Sequence, residues 1–153
     1  MASTSRRLQS VLQVVLGIVI VVLAYFLIVS IVEPYAAVER RKEITENTRT
    51  QMNKVRTAMI LYQRENGRFV SSLDSLVMWV NSDSTVYSAR DSIFGEGFVL
   101  DSLIYSPRTG KMFEMAVNDT SRVKTYLLSD PDSDDYVGTL GGDITRLNAA
   151  SWE

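Results

Sequence analysis

An apolar run of 22 residues, positions 11–32, constrains this chain more than any other part of its sequence. The run holds no charged residue and only two clearly polar ones, Gln13 and Ser30. At about 1.5 Å of rise per residue, a helix of this length crosses the roughly 30 Å hydrocarbon core of a bilayer. A buried helix of a small soluble protein would be shorter and polar on one face. The run therefore predicts a single membrane-spanning helix.

A cleavable signal peptide is the alternative interpretation of this run. Its apolar core would be about 7–15 residues long and would end at a small-residue cleavage site. The present run is longer and passes into Glu33-Pro34-Tyr35 without an Ala-x-Ala motif. We therefore expect a retained anchor in contact with the lipid bilayer, with a tail over residues 1–8 and a transmembrane helix over residues 9–32.

The charges that flank the span bear on its orientation. Arg6 and Arg7 precede it, and a second basic group at positions 40–42 follows it, so the two flanks nearly tie in Lys and Arg. The second group lies about two helical turns beyond the span and is interleaved with acidic residues. The region after it is rich in Ser, Thr and Asp. We expect the N-terminus inside and the C-terminal part outside.

The composition excludes several classes of site. The chain has no Cys and no His, so it can form neither a disulfide framework nor a metal site built from thiolate or imidazole ligands. Its net charge of −2 argues against a nucleic-acid partner, because such partners normally require a basic face.

A long helix is predicted beyond the membrane. No Gly or Pro occurs from residue 36 to residue 65, and good helix formers dominate there, which predicts a juxtamembrane stalk helix over residues 33–66. Pro34 predicts a kink or a short break just beyond the bilayer. Asn66-Gly67 predicts the end of the helix, since Gly adopts the left-handed cap conformation.

An apolar seam runs along the second half of this helix, at spacings of 4, 3, 4 and 3: Thr48, Met52, Val55, Met59 and Tyr62. Such a seam either packs on the chain's own domain or forms a coiled-coil stalk with another chain, which includes a homo-oligomer. Two heptads do not decide between them. We favour packing on the chain's own domain.

The remaining residues, 67–153, predict one small α+β domain with an irregular acidic tail. Residues 71–80 predict a short second helix with Ser71 or Ser72 as its N-cap. Three segments with strand character, 98–105, 111–117 and 123–128, are separated by turn-forming residues and predict a three-stranded antiparallel meander. The seam of the long helix is the expected cover for its apolar face.

The residues around the end of the long helix resemble those of type IV pilins and pseudopilins. The sequence reads LYQRENGRF at positions 61–69 and LDSLV at positions 73–77. The resemblance implies an apolar N-terminal helix that runs on into a small domain, with Tyr62 anchoring its last turn and Gly67 reversing the chain. Prepilins also carry a processing Gly and a Glu five residues into the mature helix. Here Gly17 is followed by Ile18, and Val22 replaces that Glu, so we expect neither processing nor polymerisation into a pilus.

Nearly the whole chain is also similar to a group of uncharacterised single-span envelope proteins of Bacteroidota-type bacteria. The matching segments are residues 55–58 with Tyr62, then 67–69, 73–77, 80–84, 105–114 and 137–153. This resemblance implies a bacterial inner-membrane protein with a cytoplasmic N-terminus and a periplasmic C-terminal domain. It implies no particular activity.

One acidic segment suggests a metal site. Asp130, Asp132 and Asp134 form a D-x-D-x-D pattern whose oxygens suit Ca²⁺, although the segment lacks the Gly and Glu of an EF-hand loop. The resemblance to pseudopilins, which carry a Ca²⁺ loop near their C-terminus, supports that interpretation. A solvated turn is the alternative, and we favour it. No other cofactor is expected.

Catalysis has little support in the sequence. Without His or Cys, a nucleophile would be a Ser activated by Lys or a carboxylate, and neither Ser-x-x-Lys nor Gly-x-Ser-x-Gly occurs. Asp101 and Glu114, on adjacent predicted strands, are a conceivable acid–base pair but are more simply outward positions of the sheet.

We therefore expect a non-enzymatic structural or assembly component of an envelope-spanning complex, of a secretion or filament type, with other membrane or periplasmic proteins as partners. The alternative is an accessory transmembrane subunit of a larger energy-transducing complex.

Overall fold

The computed structural model describes residues 2–153, apart from the side chains of residues 2–8, 31–34 and 144. Its helices are α1 (Ala2–Asn66), α2 (Leu73–Ser82), α3 (Ser84–Ser88) and α4 (Arg90–Phe94), with 3₁₀ turns at Leu100–Ser102 and Ile144–Arg146. Its strands are β1 (Glu114–Asn118), β2 (Thr125–Ser129) and β3 (Tyr136–Gly138). The predicted α+β class, with a long N-terminal helix and a three-stranded antiparallel sheet, is confirmed.

The first of two compact units covers residues 1–43 and consists of α1 alone within the described chain. Its large apolar side chains at positions 11–28, 35 and 38 are exposed, from 45% for Val19 to 71% for Tyr35. In the described part of the chain, α1 is the one helix long and apolar enough to cross a membrane. Helical backbone continues through position 34, so the predicted break is not seen there. The side chains of Arg6 and Arg7, which carry the predicted orientation, lie outside the described residues.

The second unit, residues 44–153, has its core where α1 meets the sheet. Met52, Val55 and Met59 on α1 are fully buried, and so are the inward side chains of the sheet, Tyr126, Leu128 and Val137. Tyr62 is half-buried, with its ring 5.2 Å from that of Trp79 on α2 in an edge-to-face arrangement. The seam residues thus lie within the core of the chain's own domain.

Short polar caps define the segment after α1. Gly67 ends the helix at a φ of 69°, the left-handed region that glycine adopts without strain. Ser72 is the N-cap of α2 and accepts a hydrogen bond from the Ser75 amide. The two further helices α3 and α4 were not predicted. Asp83 is the N-cap of α3, because its carboxylate accepts hydrogen bonds from the amides of Thr85 and Val86, both at 2.9 Å.

The sheet is an antiparallel meander in the order β1-β2-β3. The predicted strand at residues 98–105 is wrong, because only Tyr105 pairs, in an isolated bridge to Met112. The segment instead forms a 3₁₀ turn, whose Ser102 carbonyl accepts from the Gln51 amide of α1 at 2.7 Å. The consecutive residues Leu103 and Ile104 are both buried, whereas a strand with one solvent-exposed face would bury only one of them.

The third strand is β3, in the region predicted to be an irregular tail. Gly138 makes its close pairing with β2 possible, since a Cβ at this position would collide with the carbonyl oxygen of Tyr126. The last residues return to the domain. Trp152 is half-buried against the core, and Glu153 pairs with Arg56 of α1 at 3.0 Å.

Candidate functional site

Two arginines and two aspartates form a charged cluster at one side of the core: Arg49, Arg108, Asp130 and Asp135. Arg49 comes from α1, Arg108 from the turn that precedes β1, and the aspartates from the two ends of the loop between β2 and β3. The loop is closed by a backbone hydrogen bond from the Asp130 amide to the Asp135 carbonyl, 3.0 Å long. The cluster thus joins three segments that are distant in the sequence.

Arg49 binds Asp135 through two nitrogens. Its Nε lies 3.2 Å from each carboxylate oxygen, and its Nη2 donates to Oδ1 at 2.9 Å. This fork geometry is the strong form of an arginine–carboxylate pair. The guanidinium also lies 5.2 Å from the centre of the Trp152 ring, so one side chain of α1 contacts both the loop and the C-terminal residues.

Arg108 lies between the two aspartates. Its Nε is 3.3 Å from Asp130 Oδ2, an ion-pair distance at which the N–H is not aligned for a hydrogen bond. Its Nη2 lies 3.9 Å from Asp135 Oδ2 and donates to Thr45 Oγ1 of α1 at 3.3 Å. One arginine therefore neutralises charge at both ends of the acidic loop.

Asp130 is the most buried group of the cluster, with no exposed side-chain surface. The Ser133 hydroxyl donates to its Oδ2 at 2.7 Å, whereas Oδ1 has no hydrogen-bond partner among the described residues. Burying a carboxylate is costly unless a counter-charge and hydrogen bonds compensate for the lost water. Arg108 supplies that counter-charge.

A second pair lies at the rim of the cluster. Lys111 Nζ donates to Asp132 Oδ1 at 2.7 Å, and the Thr109 hydroxyl donates to Oδ2 of the same carboxylate at 2.7 Å. The Lys111 hydrogen bond lowers the pKa of Asp132, and the Thr109 hydrogen bond lowers it further. The same contact with Asp132 raises the pKa of Lys111. The Lys111 side chain is mostly exposed and that of Asp132 is partly exposed, so solvent screens the pair and it holds the turn and the loop together only weakly.

The structure does not gather the three predicted calcium ligands around one point. Asp130 is directed at Arg108 inside the domain, Asp132 at Lys111, and Asp134 is exposed. Among the side chains that the structure describes, no group of three acidic residues is positioned to hold a metal ion. A solvated turn stays the favoured prediction for this loop, and a bound Ca²⁺ would compete with Lys111 for Asp132.

The conceivable acid–base pair is also differently placed from its prediction. Asp101 lies in the 3₁₀ turn instead of on a strand adjacent to that of Glu114. Both side chains are exposed, and neither forms an ion pair within the described chain. The absence of enzymatic activity stays a prediction.

Sequence reasoning missed the basic half of the cluster, Arg49 and Arg108, together with Asp135. Arg49 and Asp135 are 86 positions apart, and no spacing rule links them. One signal was available: the turn at residues 107–111 carries two basic residues and the loop at residues 130–135 carries four acidic ones. Two loops of opposite charge at the same end of neighbouring strands favour contact with each other.

No protein-family profile, curated protein or solved structure matches this chain at a significant level. The charged cluster pairs acidic with basic groups, and its contacts join α1 to two loops of the domain.

Proposed function

We propose that this chain is a non-enzymatic single-pass protein of a bacterial inner membrane, and that it is a structural or assembly component of an envelope-spanning complex. In this proposal residues 1–8 are cytoplasmic, α1 crosses the membrane once, and the domain formed by residues 44–153 contacts partners in the periplasm. A secretion or filament-type assembly is the complex that we favour.

One observation carries the proposal: a single helix supplies both the apolar segment and part of the domain core. α1 exposes apolar side chains through residues 11–28 and then buries Met52, Val55 and Met59. In this proposal the helix that anchors the chain also contributes side chains to the core of the domain, which suits a structural component.

The charged cluster supports a structural role. Arg49 and Arg108 each contact a carboxylate instead of facing an open cavity. Arg49 also contacts the Trp152 ring near the C-terminus, and Arg108 also donates to Thr45 of α1. These contacts hold loops against the anchoring helix. A structural component requires a domain whose loops keep their positions, and such pairs supply that.

Isolation of the complex in mild detergent tests the proposal. The full chain is compared with a variant whose residues 11–32 are replaced by a Leu/Ala helix of the same length, which keeps the anchor and removes its sequence. We expect the same envelope proteins to co-isolate with both, since contact through the domain survives the exchange. Loss of the partners with the exchanged span, together with redox or transport subunits in the original isolate, would favour the accessory-subunit alternative. Isolation of the chain alone would contradict both.

A further inference from the structure

The outer edge of β1 is open over most of its length. Just before β1, the Phe113 amide donates to the Ile104 carbonyl at 2.9 Å, and the Ser106 amide donates to the Lys111 carbonyl at 2.8 Å. The preceding chain then leaves the sheet, because residues 100–102 form the 3₁₀ turn. From Glu114 to Asn118, β1 pairs with β2 on one side only.

The unpaired backbone groups of this edge can be assigned to particular residues. Phe113 directs its N–H to the outer side, and backbone groups alternate in direction along a strand. The N–H and C=O groups of Met115 and Val117 therefore point outward, and those of Glu114, Ala116 and Asn118 point to β2. Within the described chain, no backbone hydrogen bond reaches the outward groups of Met115 and Val117.

This edge has little of the usual protection against pairing, since its one charged residue, Glu114, stands at its first position. Natural edge strands carry Lys, Pro or a bulge that prevents another strand from adding to them. β1 has the sequence EMAVN, with no basic residue and no Pro, and it pairs with β2 in an unbroken register. The side chains of Met115 and Val117 are only half-buried, so apolar surface lies beside the unpaired groups.

We propose that the β1 edge pairs with the β1 edge of a second copy of this chain, antiparallel and centred on Ala116. In this register Met115 of each copy lies opposite Val117 of the other, and the two pairs exchange four backbone hydrogen bonds. Glu114 lies opposite Asn118, which places an amide beside a carboxylate. No like charges meet, and all four outward groups of each copy are paired.

The geometry of the open stretch selects this register. At its N-terminal end the edge is occupied by the Ile104 carbonyl, which accepts the hydrogen bond from the Phe113 amide. At its C-terminal end the chain turns away, since the Asn118 side chain accepts hydrogen bonds from the amide and hydroxyl of Thr120. Five residues remain, and centring on Ala116 is the antiparallel self-pairing that uses all of them. A shared bilayer also raises the effective concentration of a second copy.

Cysteine cross-linking of the full chain in membranes tests the proposal, and the chain has no native Cys to interfere. Ala116 is exposed. In the proposed dimer the Ala116 residues of the two copies lie opposite each other at the two-fold axis, as a non-hydrogen-bonded pair. Their Cα atoms are then about 4.5 Å apart, which is within the range that a disulfide spans. The matched control is Ser92→Cys, an exposed position on α4. We expect mild oxidation to give at least tenfold more disulfide dimer with Ala116→Cys than with Ser92→Cys.

A second variant separates strand pairing from chance collision. Val117→Pro in the Ala116→Cys background removes one outward N–H and leaves the hydrogen bonds to β2 in place. We expect the cross-link to fall to the level of Ser92→Cys. Equal cross-linking at positions 116 and 92 would overturn the proposal, and so would a cross-link that survives Val117→Pro in a folded chain. A disulfide adduct of Ala116→Cys with a different protein would assign the edge to another partner and would also overturn it.

Discussion

Arg49 of α1 binds Asp135 of the loop between β2 and β3 through a two-nitrogen fork, with the shortest contact at 2.9 Å between Nη2 and Oδ1. The aspartate side chain is 11% exposed, so most of its hydration is lost and the guanidinium replaces it. The same loop contains Asp130, which is more deeply buried and depends on Arg108. The long helix and the acidic loop are thus connected by charge as well as by the apolar core.

Replacing Arg49 with Ala should destabilise the domain by about 2–3 kcal/mol, because Asp135 then keeps only the distant Arg108 contact. Arg64→Ala, an exposed position on the same helix, should change stability by less than about 0.5 kcal/mol. Urea unfolding in detergent, followed by tryptophan fluorescence, measures both, since Trp79 and Trp152 lie in the domain. Similar midpoints for the two variants would contradict this role of the cluster.

Met59→Asp should unfold the domain. Met59 is fully buried, and an unpaired carboxylate there costs several kcal/mol, about the whole stability of a small domain. Met78→Asp is the matched control, since Met78 is 65% exposed and should tolerate the change. Circular dichroism and sedimentation of both variants distinguish the two interpretations of the seam. A folded Met59→Asp chain that has lost only an oligomer would favour the coiled-coil stalk.

The Asp132–Lys111 pair should make a small, pH-limited contribution to stability. The pKa of Asp132 is lowered in the folded state, so its contribution is present above the unfolded pKa of about 3.9 and is lost as the pH falls through the lower folded value. The pKa of Lys111 is raised, so its contribution is lost as the pH rises through that raised value. We therefore expect the unfolding midpoints of wild type and Asp132→Asn to differ at pH 7 and to converge as the pH falls below the lowered pKa of Asp132. A difference that grows with acid would contradict the assignment.

A reporter protein that is active only outside the cytoplasm should be active when it is fused after Glu153. The expectation follows from Arg6 and Arg7 before an uncharged span and from the polar domain after it. Alkaline phosphatase, which requires an oxidising compartment, and a cytoplasm-only fluorescent protein form the matched pair. Fluorescence without phosphatase activity would reverse the orientation.

The features that sequence predicted correctly are those with a local signal. The apolar run is uninterrupted, and the segment from Met52 to Met59 repeats with helical period, so hydropathy alone indicates an exposed and then a buried stretch of α1. Ser72 before Leu73 marked the start of α2 in the same way. Each of these patterns acts within a few residues along the chain.

The features that sequence missed depend on contacts between distant residues. The segment at 98–105 is rich in residues with strand character, but Gln51 binds its Ser102 carbonyl and both Leu103 and Ile104 turn into the core. β3 forms where Gly138 permits close approach to Tyr126, which composition alone does not indicate. The charged cluster likewise pairs Arg49 with a residue 86 positions away. In each case a tertiary contact either overrides the local propensity or determines the structure where the local propensity is weak.

The order of synthesis leaves the apolar seam of α1 without its covering strands during biogenesis. Met52, Val55 and Met59 are made more than 60 residues before Tyr126, Leu128 and Val137, the strand residues that share their core. At about 5–20 residues per second, this face of α1 waits several seconds or longer for the strands that cover it. By then the apolar run has already left the ribosome. The seam is therefore an apolar surface of the nascent chain during this interval, accessible to proteases and neighbouring chains before its own strands cover it.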